Sequence, residues 1–304
     1  MHVSAGTVRI GARASPLSLW QARWVASRLR TELPDHDMEL VTVTTRGDVH
    51  TGPLTGAAGE IGFFTSEIET ALLNQRVDVA VHSLKDLPTS DSGSLLVVAV
   101  PLRDDPSDVL VSRTGQPLSE LSKGARVGTS SPRRACLVRS LRPDVEVVPI
   151  RGNVDTRVRK VQEGNFDAVV LAAAGLFRLG LLDLVSERFD PGLLPPAPGQ
   201  GALAVQARPD DKVLIAALKR IDEPDAREST AAERACLQAL GGGCSRPIGA
   251  HARFVTNRLT LTAFVGSEDG SRVVRTEASG DSAEELGRSV AAELLRMGAG
   301  ELLV

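Results

Sequence analysis

The chain has no tyrosine at all, and only two tryptophans and seven phenylalanines, so aromatics make up 3% of it. No phenol is available as acid, base or stacking platform, and whatever cores form must be packed with aliphatic side chains. Cysteine is nearly as scarce: Cys136, Cys236 and Cys244 cannot all pair with one another, and their spacings match no zinc-ligand pattern. The five histidines (His2, His36, His50, His82 and His251) form no paired-ligand spacing either, so no metal site is expected. Charge of one sign is also missing. Against 35 Lys+Arg stand 38 Asp+Glu, a formal net of −3, which excludes the strongly basic domain of a general nucleic-acid binder. Any anion site must come from local placement of basic residues. MHVSAGTVRIGARASP lacks a basic start followed by an apolar run, and no apolar stretch approaches a membrane span. The expectation is a cytoplasmic protein with free thiols and no membrane partner.

What is present reads as alternation of short apolar runs and amphipathic segments. With 304 residues, 42% hydrophobic and 24% charged, the chain is long enough for two or three domains with real cores. Thr7–Ile10, Met38–Thr45, Val77–Val81 and Leu95–Val100 read as strands. Ser15-Pro16 supplies an N-cap and a first-turn proline for a helix with Leu17, Trp20, Trp24 and Val25 on one face. Ser66 and Glu69 form a capping box for a helix through Leu73. The pattern then restarts, with strands at Val109–Val111, Arg126–Gly128, Glu146–Ile150 and Ala168–Leu171. Helices are expected from Ser131-Pro132 and over Val154–Gln162. PGLLPPAPGQG (191–201) is a connector, and Ala202–Ala207 is one more strand, returning to the first domain. After Asp222 come a helix near Ser229–Leu240, a GGGC loop, three strand-like runs from Ile248 to Ala278, and a helix over Ser282–Met297. This predicts an α/β architecture of two domains flanking a cleft plus a small α+β third domain: 1–103 with 200–219, then 104–199, then 220–304.

In open α/β sheets ligands sit outside the carboxyl ends of strands, so the residues just after strands deserve inspection. Val-Gly-Thr-Ser-Ser-Pro-Arg-Arg (127–134) runs from a strand through three hydroxyls into a helix start carrying two arginines. It reads equally as an anion site built on helix N–H groups or as an ordinary cap with solvent-facing arginines. Arg151 lies at a strand end, Asn153 can cap the next helix, and Arg157 falls one turn in. Arg13 and Arg178 occupy similar places. Each alone reads as a surface charge; their recurrence after strands favours a polycarboxylate ligand. Asp86 in VHSLKDLPT (81–89) could stabilise a developing cation, although by itself it reads as a turn residue before proline. Cys136 and Cys236, inside helical patterns, read as small buried hydrophobes. Cys244 stands in a loop whose glycines give close backbone access to its sulfur.

Eight blocks in order carry a resemblance over nearly the whole chain: RIGARASPLSLWQA (9–22), TTRGD (44–48), DVAVHSLKDLPT (78–89), VGTSSPRRA (127–135), IRGNVDTR (150–157), AAAGLFRLG (172–180), PAPGQGAL (196–203) and GGGCSRPIGA (241–250). Together they resemble the porphobilinogen deaminase (hydroxymethylbilane synthase) family. The resemblance implies two domains like type II periplasmic binding proteins and a third that bears the cofactor cysteine. It implies a monomeric enzyme of porphyrin biosynthesis that joins four porphobilinogens head to tail, with loss of ammonia, onto a covalent dipyrromethane primer, and then releases linear hydroxymethylbilane. By it, Cys244 carries the dipyrromethane through a thioether, and Asp86 stabilises the charge that develops as ammonia leaves. Lys85, Ser83, Thr129, Ser131, Arg133, Arg134, Arg151 and Gly152 fall at cofactor-binding positions. Arg13, Ser15, Ser130, Arg157, Arg178 and Gln200 fall at substrate-binding ones.

The resemblance departs at PLTGAAGEIGFF (53–64), where relatives commonly carry a glycine-rich loop with lysine. Here there is no lysine and an acidic Glu60, and residues 55–62 are expected to be mobile. Pro132 replaces a common leucine and suits a first helical turn. The competing reading is a non-catalytic pyrrole- or small-anion-binding protein, since binding proteins share the two-domain architecture.

Overall fold

The computed structural model describes residues 6–45, 65–89, 93–242 and 246–303. Backbone packing divides the chain into two compact units, Met1–Arg103 with Ala202–Arg227 and Asp104–Gly201 with Glu228–Val304. The chain opens with β1 (Thr7–Ala12), α1 (Pro16–Glu32), β2 (Asp37–Thr42), α2 (Ser66–Leu73), β3 (Val79–Ser83) and β4 (Leu96–Ala99). It continues in the second unit with β5 (Asp108–Ser112), β6 (Arg126–Gly128), α3 (Pro132–Leu141), β7 (Glu146–Val148), α4 (Val154–Gln162), β8 (Ala168–Ala172), α5 (Ala173–Arg178) and β9 (Glu187–Arg188). Then come β10 (Leu203–Ala207), α6 (Lys212–Arg220), α7 (Pro224–Ala239), β11 (Ile248–Val255), β12 (Arg258–Gly266), β13 (Val273–Gly280) and α8 (Ala283–Arg296).

The two five-stranded sheets share one plan. The first has the order β2-β1-β3-β10-β4 and the second β7-β6-β8-β5-β9. In each, three parallel strands are followed by one antiparallel strand, β10 or β5. In each, that strand comes just after the chain crosses from one unit to the other in sequence, at 103–104 for β5 and 201–202 for β10. Alternation along the inner strands sends side chains to both sheet faces. Val79 and Val81 of β3 join a core with α1 and α6, while Ala80 joins a second core with Ile68, Ala71 and Leu72 of α2. In the second unit, Val169 and Leu171 of β8 pack under α4 and α5, and Ala168 and Val170 pack with Val138 of α3. The sheet β11-β12-β13 has its own core, which includes Ala232 and Cys236 of α7 and Leu286, Val290 and Leu294 of α8. Gly287 makes that packing possible, because a Cβ there would come within 2.5 Å of the Ala232 carbonyl oxygen.

Several local expectations change. The buried face of α1 is Gln21, Ala22, Val25, Ala26 and Leu29, with Leu17, Trp20 and Trp24 only half-buried. The capping box at Ser66 does not form: Thr65 takes the cap position without a side-chain bond, and Ser66 is the first helical residue. Glu69 instead accepts a hydrogen bond from Gln206 Nε2 at 3.0 Å. Asn153 stands at the N-cap of α4, but its side chain makes no capping bond. Helix α6, capped by Asp211 and buried through Leu214, Ala217 and Leu218, was not anticipated. Among the described residues no helix is long and apolar enough to cross a membrane.

Candidate functional site

Most of the residues singled out in the sequence stand at or just after the carboxyl ends of parallel strands, in one unit or the other. In the first unit Ser15 caps α1, its Oγ accepting from the Ser18 backbone N–H at 3.3 Å, so the chain leaving β1 at Arg13 turns directly into the helix. Ser83, the last residue of β3, accepts a hydrogen bond from Gln21 Nε2 of α1 at 3.0 Å. The strand then tightens into a single 3₁₀ turn, Leu84–Asp86. Leu84 and Leu87 are buried and anchor the turn, and the Leu84 N–H donates to the Ala202 carbonyl at 3.0 Å. Between these anchors Asp86 is exposed, and among the described residues no donor meets its carboxylate. One turn thus holds the backbone rigidly while leaving a carboxylate uncommitted.

The second unit is built differently. β6 ends at Gly128, and Thr129–Ser131 follow before α3. Thr129 Oγ1 accepts from the Ser131 N–H at 3.2 Å, and Ser131 caps the helix through the Arg134 N–H. Ser130 Oγ donates to the Ile150 carbonyl at 2.7 Å and accepts from the Ile150 N–H at 3.1 Å, clamping this loop to the one after β7. That second loop carries Arg151 and Gly152. Gly152 has φ +109°, and a Cβ there would lie 2.6 Å from the Thr156 methyl, so the turn requires glycine. Arg157, in the first turns of α4, donates through Nε to the Gly152 carbonyl at 2.7 Å.

Arg133 and Arg134 are not solvent-facing. They are 3% and 7% exposed, and both meet Asp108, itself 2% exposed. Arg134 Nε and Nη2 donate to Asp108 Oδ1 at 3.0 and 2.8 Å, and Arg134 Nη1 donates to the Val170 carbonyl at 3.1 Å. Arg133 Nη1 lies 2.6 Å from Asp108 Oδ2, while Arg133 Nε is buried without an acceptor. Gln200 Nε2 donates to Asp108 Oδ1 at 2.8 Å, and Gln200 Oε1 accepts from Arg134. Arg178 is buried against Asp104, with Nε to Oδ2 at 2.8 Å, and donates to the Gly201 carbonyl. Burial works against the Asp108 charge, yet the two guanidiniums outweigh it and hold the carboxyl far below the usual range. Burial, with the like charges of Arg134 and Arg151, pushes Arg157 down to about 10.

Asp108 and Asp104, which anchor these arginines, were not singled out in the sequence, although the acidic run DDPSD (104–108) directly before a strand was a visible signal. Glu233 was also missed. It is fully buried, and its carboxylate accepts from the Gly199 N–H at 2.7 Å and the Ala252 N–H at 2.8 Å, tying the connector before Gln200 to α7 and β11. Nothing local marked it among the charges of an amphipathic helix. Cys136 and Cys236 are buried free thiols, raised by burial to about 11 and 12, and are not reactive groups. Cys244 and the loop 55–62 lie outside the described residues.

Comparison with known proteins follows the same residues. Residues 8–241 match the family domain described as porphobilinogen deaminase, dipyromethane cofactor binding domain, and residues 228–296 match the porphobilinogen deaminase C-terminal domain. The chain belongs to the porphobilinogen deaminase family. The porphobilinogen deaminase of Desulforudis audaxviator is 47% identical over 298 residues, 97% of this chain and 96% of that protein. That of Deinococcus radiodurans is 44% identical over 302 residues, 98% of each. Among solved structures, the BvgS periplasmic VFT2 domain of Bordetella pertussis is similar at a TM-score of 0.43 and 17% identity, covering 71% of this chain and 86% of that one. Membership of the porphobilinogen deaminase family makes the chain a transferase with a dipyrromethane cofactor rather than a non-catalytic binding protein. The second unit fits such a group. A dipyrromethane is rich in carboxylates, and here Arg157 feels the like charges of Arg134 and Arg151, while neither Arg151 nor Arg157 meets a carboxylate among the described residues.

Proposed function

We propose that this chain joins four porphobilinogens head to tail, releasing one ammonia at each addition, and frees linear hydroxymethylbilane by hydrolysis. The reading is carried by the arginines placed after β6 and β7: Arg157 feels the like charges of Arg134 and Arg151 and meets no carboxylate among the described residues, which a bound polycarboxylate would supply. Dipyrromethane, when bound, supplies the primer to which pyrrole units are added. Cys244 holds it through sulfur, and 220–304 forms the third domain that presents this cysteine. Arg133, Arg134, Arg151, Thr129, Ser131, Ser83, Lys85 and the Gly152 turn hold its carboxylates, and the three arginines also meet those of the substrate and growing chain. Arg13, Ser15, Ser130, Arg157, Arg178 and Gln200 orient the incoming substrate and the growing chain. Asp86 sits on an anchored turn with its carboxylate open, so its negative charge faces the pyrrole ring and stabilises the cation that develops as the C–N bond breaks. The same Oδ atoms can take the ring proton after carbon–carbon coupling. The enzyme acts as a cytoplasmic monomer on this reading.

Intact mass tests the assignment. Protein purified from a pyrrole-making host should exceed its sequence mass by two linked pyrroles, and Cys244→Ala should lack the adduct. Wild-type protein at its bare sequence mass, or an adduct that survives in Cys244→Ala, would overturn the assignment.

A further inference from the structure

We propose that Asp108 is a positioning residue for the anion-binding arginines: it fixes the directions of the Arg133 and Arg134 guanidiniums and cancels one of their two charges. The inference rests on the carboxylate-binding role assigned to those arginines above. Asp108 opens β5 and pairs with Ala172, the residue before α5. It therefore stands beside the carboxyl end of β8 and faces the first turn of α3. That turn is an unfavourable place for cations, because the helix dipole is positive there. Two adjacent arginines occupy it nonetheless, both nearly inaccessible.

Asp108 resolves the conflict. Arg134 presents two donors to Oδ1, at 2.8 and 3.0 Å, and a third to the Val170 carbonyl, so its plane cannot rotate. Arg133 meets Oδ2 through Nη1 at 2.6 Å and the Pro195 carbonyl at 3.2 Å, which leaves Nε buried and without an acceptor. Gln200 steadies the carboxylate from the other side and is itself fixed to the Pro106 carbonyl at 2.8 Å. Two guanidiniums against one carboxylate leave one net positive charge, held in a defined direction. A guanidinium recognises carboxylates through a planar fork, so its orientation matters as much as its charge. Without Asp108 the two like charges repel, and the cluster must either loosen or recruit an anion from solution.

The test uses the full-length protein as purified, in wild-type form and as Asp108→Asn and Asp108→Glu. Sulfate is the probe for the first measurement. The melting temperature of Asp108→Asn should rise more steeply with sulfate than that of wild type, because sulfate replaces the missing anion. Porphobilinogen turnover is the second. KM should rise by roughly tenfold or more in Asp108→Asn, the scale of one lost charge-assisted hydrogen bond, while kcat changes less. Asp108→Glu keeps the charge and should recover part of the KM loss. If Asp108→Asn does not fold, Asp108→Glu carries the KM measurement: it keeps the charge on a longer stem and should raise KM with little change in kcat, and an unchanged KM there would overturn the role. Equal sulfate slopes together with an unchanged KM would overturn the role of Asp108. Failure of wild type itself to consume porphobilinogen would instead overturn the function on which the role rests.

Discussion

The carboxyl ends of the strands in the two units are furnished in opposite ways. In the first unit, Asp86 stands exposed on a turn whose neighbours Leu84 and Leu87 are buried. In the second, Asp108 is buried and meets two guanidiniums and an amide. Both are carboxylates at the rim of a five-stranded sheet of the same plan, so the sheet does not decide their roles. Environment does. A carboxylate with no partner among the described residues can respond to charge that appears on a ligand. One already paired with two guanidiniums is committed to them, and it serves the arginines instead. The roles proposed for them follow that difference: reactive charge in one unit and positional charge in the other.

The largest expected effect tests the first half of that division. Asp86→Asn keeps size and hydrogen-bond acceptance but loses charge. Single-turnover elongation with cofactor-loaded protein should slow by on the order of 10²–10³, the usual effect of removing one preorganised electrostatic contact. Its melting temperature should match wild type, because the side chain makes no packing contact that the asparagine would lose. Asp86→Glu keeps the charge in a displaced position and should retain more activity than the asparagine variant. Normal turnover in Asp86→Asn would return Asp86 to the role of a turn residue and erase the contrast.

Arg134→Met should behave in the reverse sense. It leaves the buried Asp108 with one guanidinium, Arg133, and the Gln200 amide, and breaking a buried pair from one side costs about 3 kcal/mol at the low end of the measured range. The loss should appear in equilibrium denaturation, with cofactor loading reduced as well. A stability change below about 0.5 kcal/mol, the range of ordinary surface substitutions, would show that the pair contributes nothing to the fold.

Acid sharpens the comparison further. Both Asp78, paired with Arg9 and Arg208 in the first unit, and Asp108 titrate below their ordinary range in the fold. A carboxylate depressed in the fold contributes stability that is complete above its unfolded value, about 3.9, and is lost as pH falls from there towards the folded value. Wild-type melting temperature should therefore drop below about pH 4. Asp108→Asn should flatten that acid slope more than Asp78→Asn, since Asp108 is the more buried and meets two cations within 3 Å. A larger flattening in Asp78→Asn would move the acid-sensitive anchor into the first unit.

Much of this architecture was legible because its signals are local. Apolar runs such as Val79–Val81 and Ala168–Leu171 became central strands, and Ser15-Pro16 and Ser131-Pro132 start helices as their cap chemistry dictates. The failures arose where local chemistry had a tertiary competitor. Glu69 is held by Gln206, 137 residues away in sequence, instead of closing a capping box at Ser66. The arginines were read from their places after strands, but their anchor was not, because Asp108 and Arg134 are 26 residues apart and meet only once β5 lies beside β8. Helix α6 had a readable cap in Asp211 and an apolar stripe, and was overlooked beside the stronger strand pattern of 203–207.

The smallest expected effect concerns the loop clamp, where a hydroxyl takes the place of a carboxylate. Ser130 Oγ both donates to and accepts from the backbone of Ile150, the residue before Arg151. Ile150 is 1% exposed, so Ser130→Ala leaves a buried N–H and C=O short of partners and should destabilise the protein by about 1–2 kcal/mol. Because the clamp also sets where Arg151 leaves the sheet, KM for porphobilinogen should rise a few-fold, with kcat and the intact-mass adduct unchanged. Ser130→Thr keeps the hydroxyl and should restore both stability and KM. If Ser130→Ala alters kcat while KM holds, the hydroxyl is touching the reacting atoms. In that case the second unit would contribute chemistry as well as position, and the division between the two rims would fail.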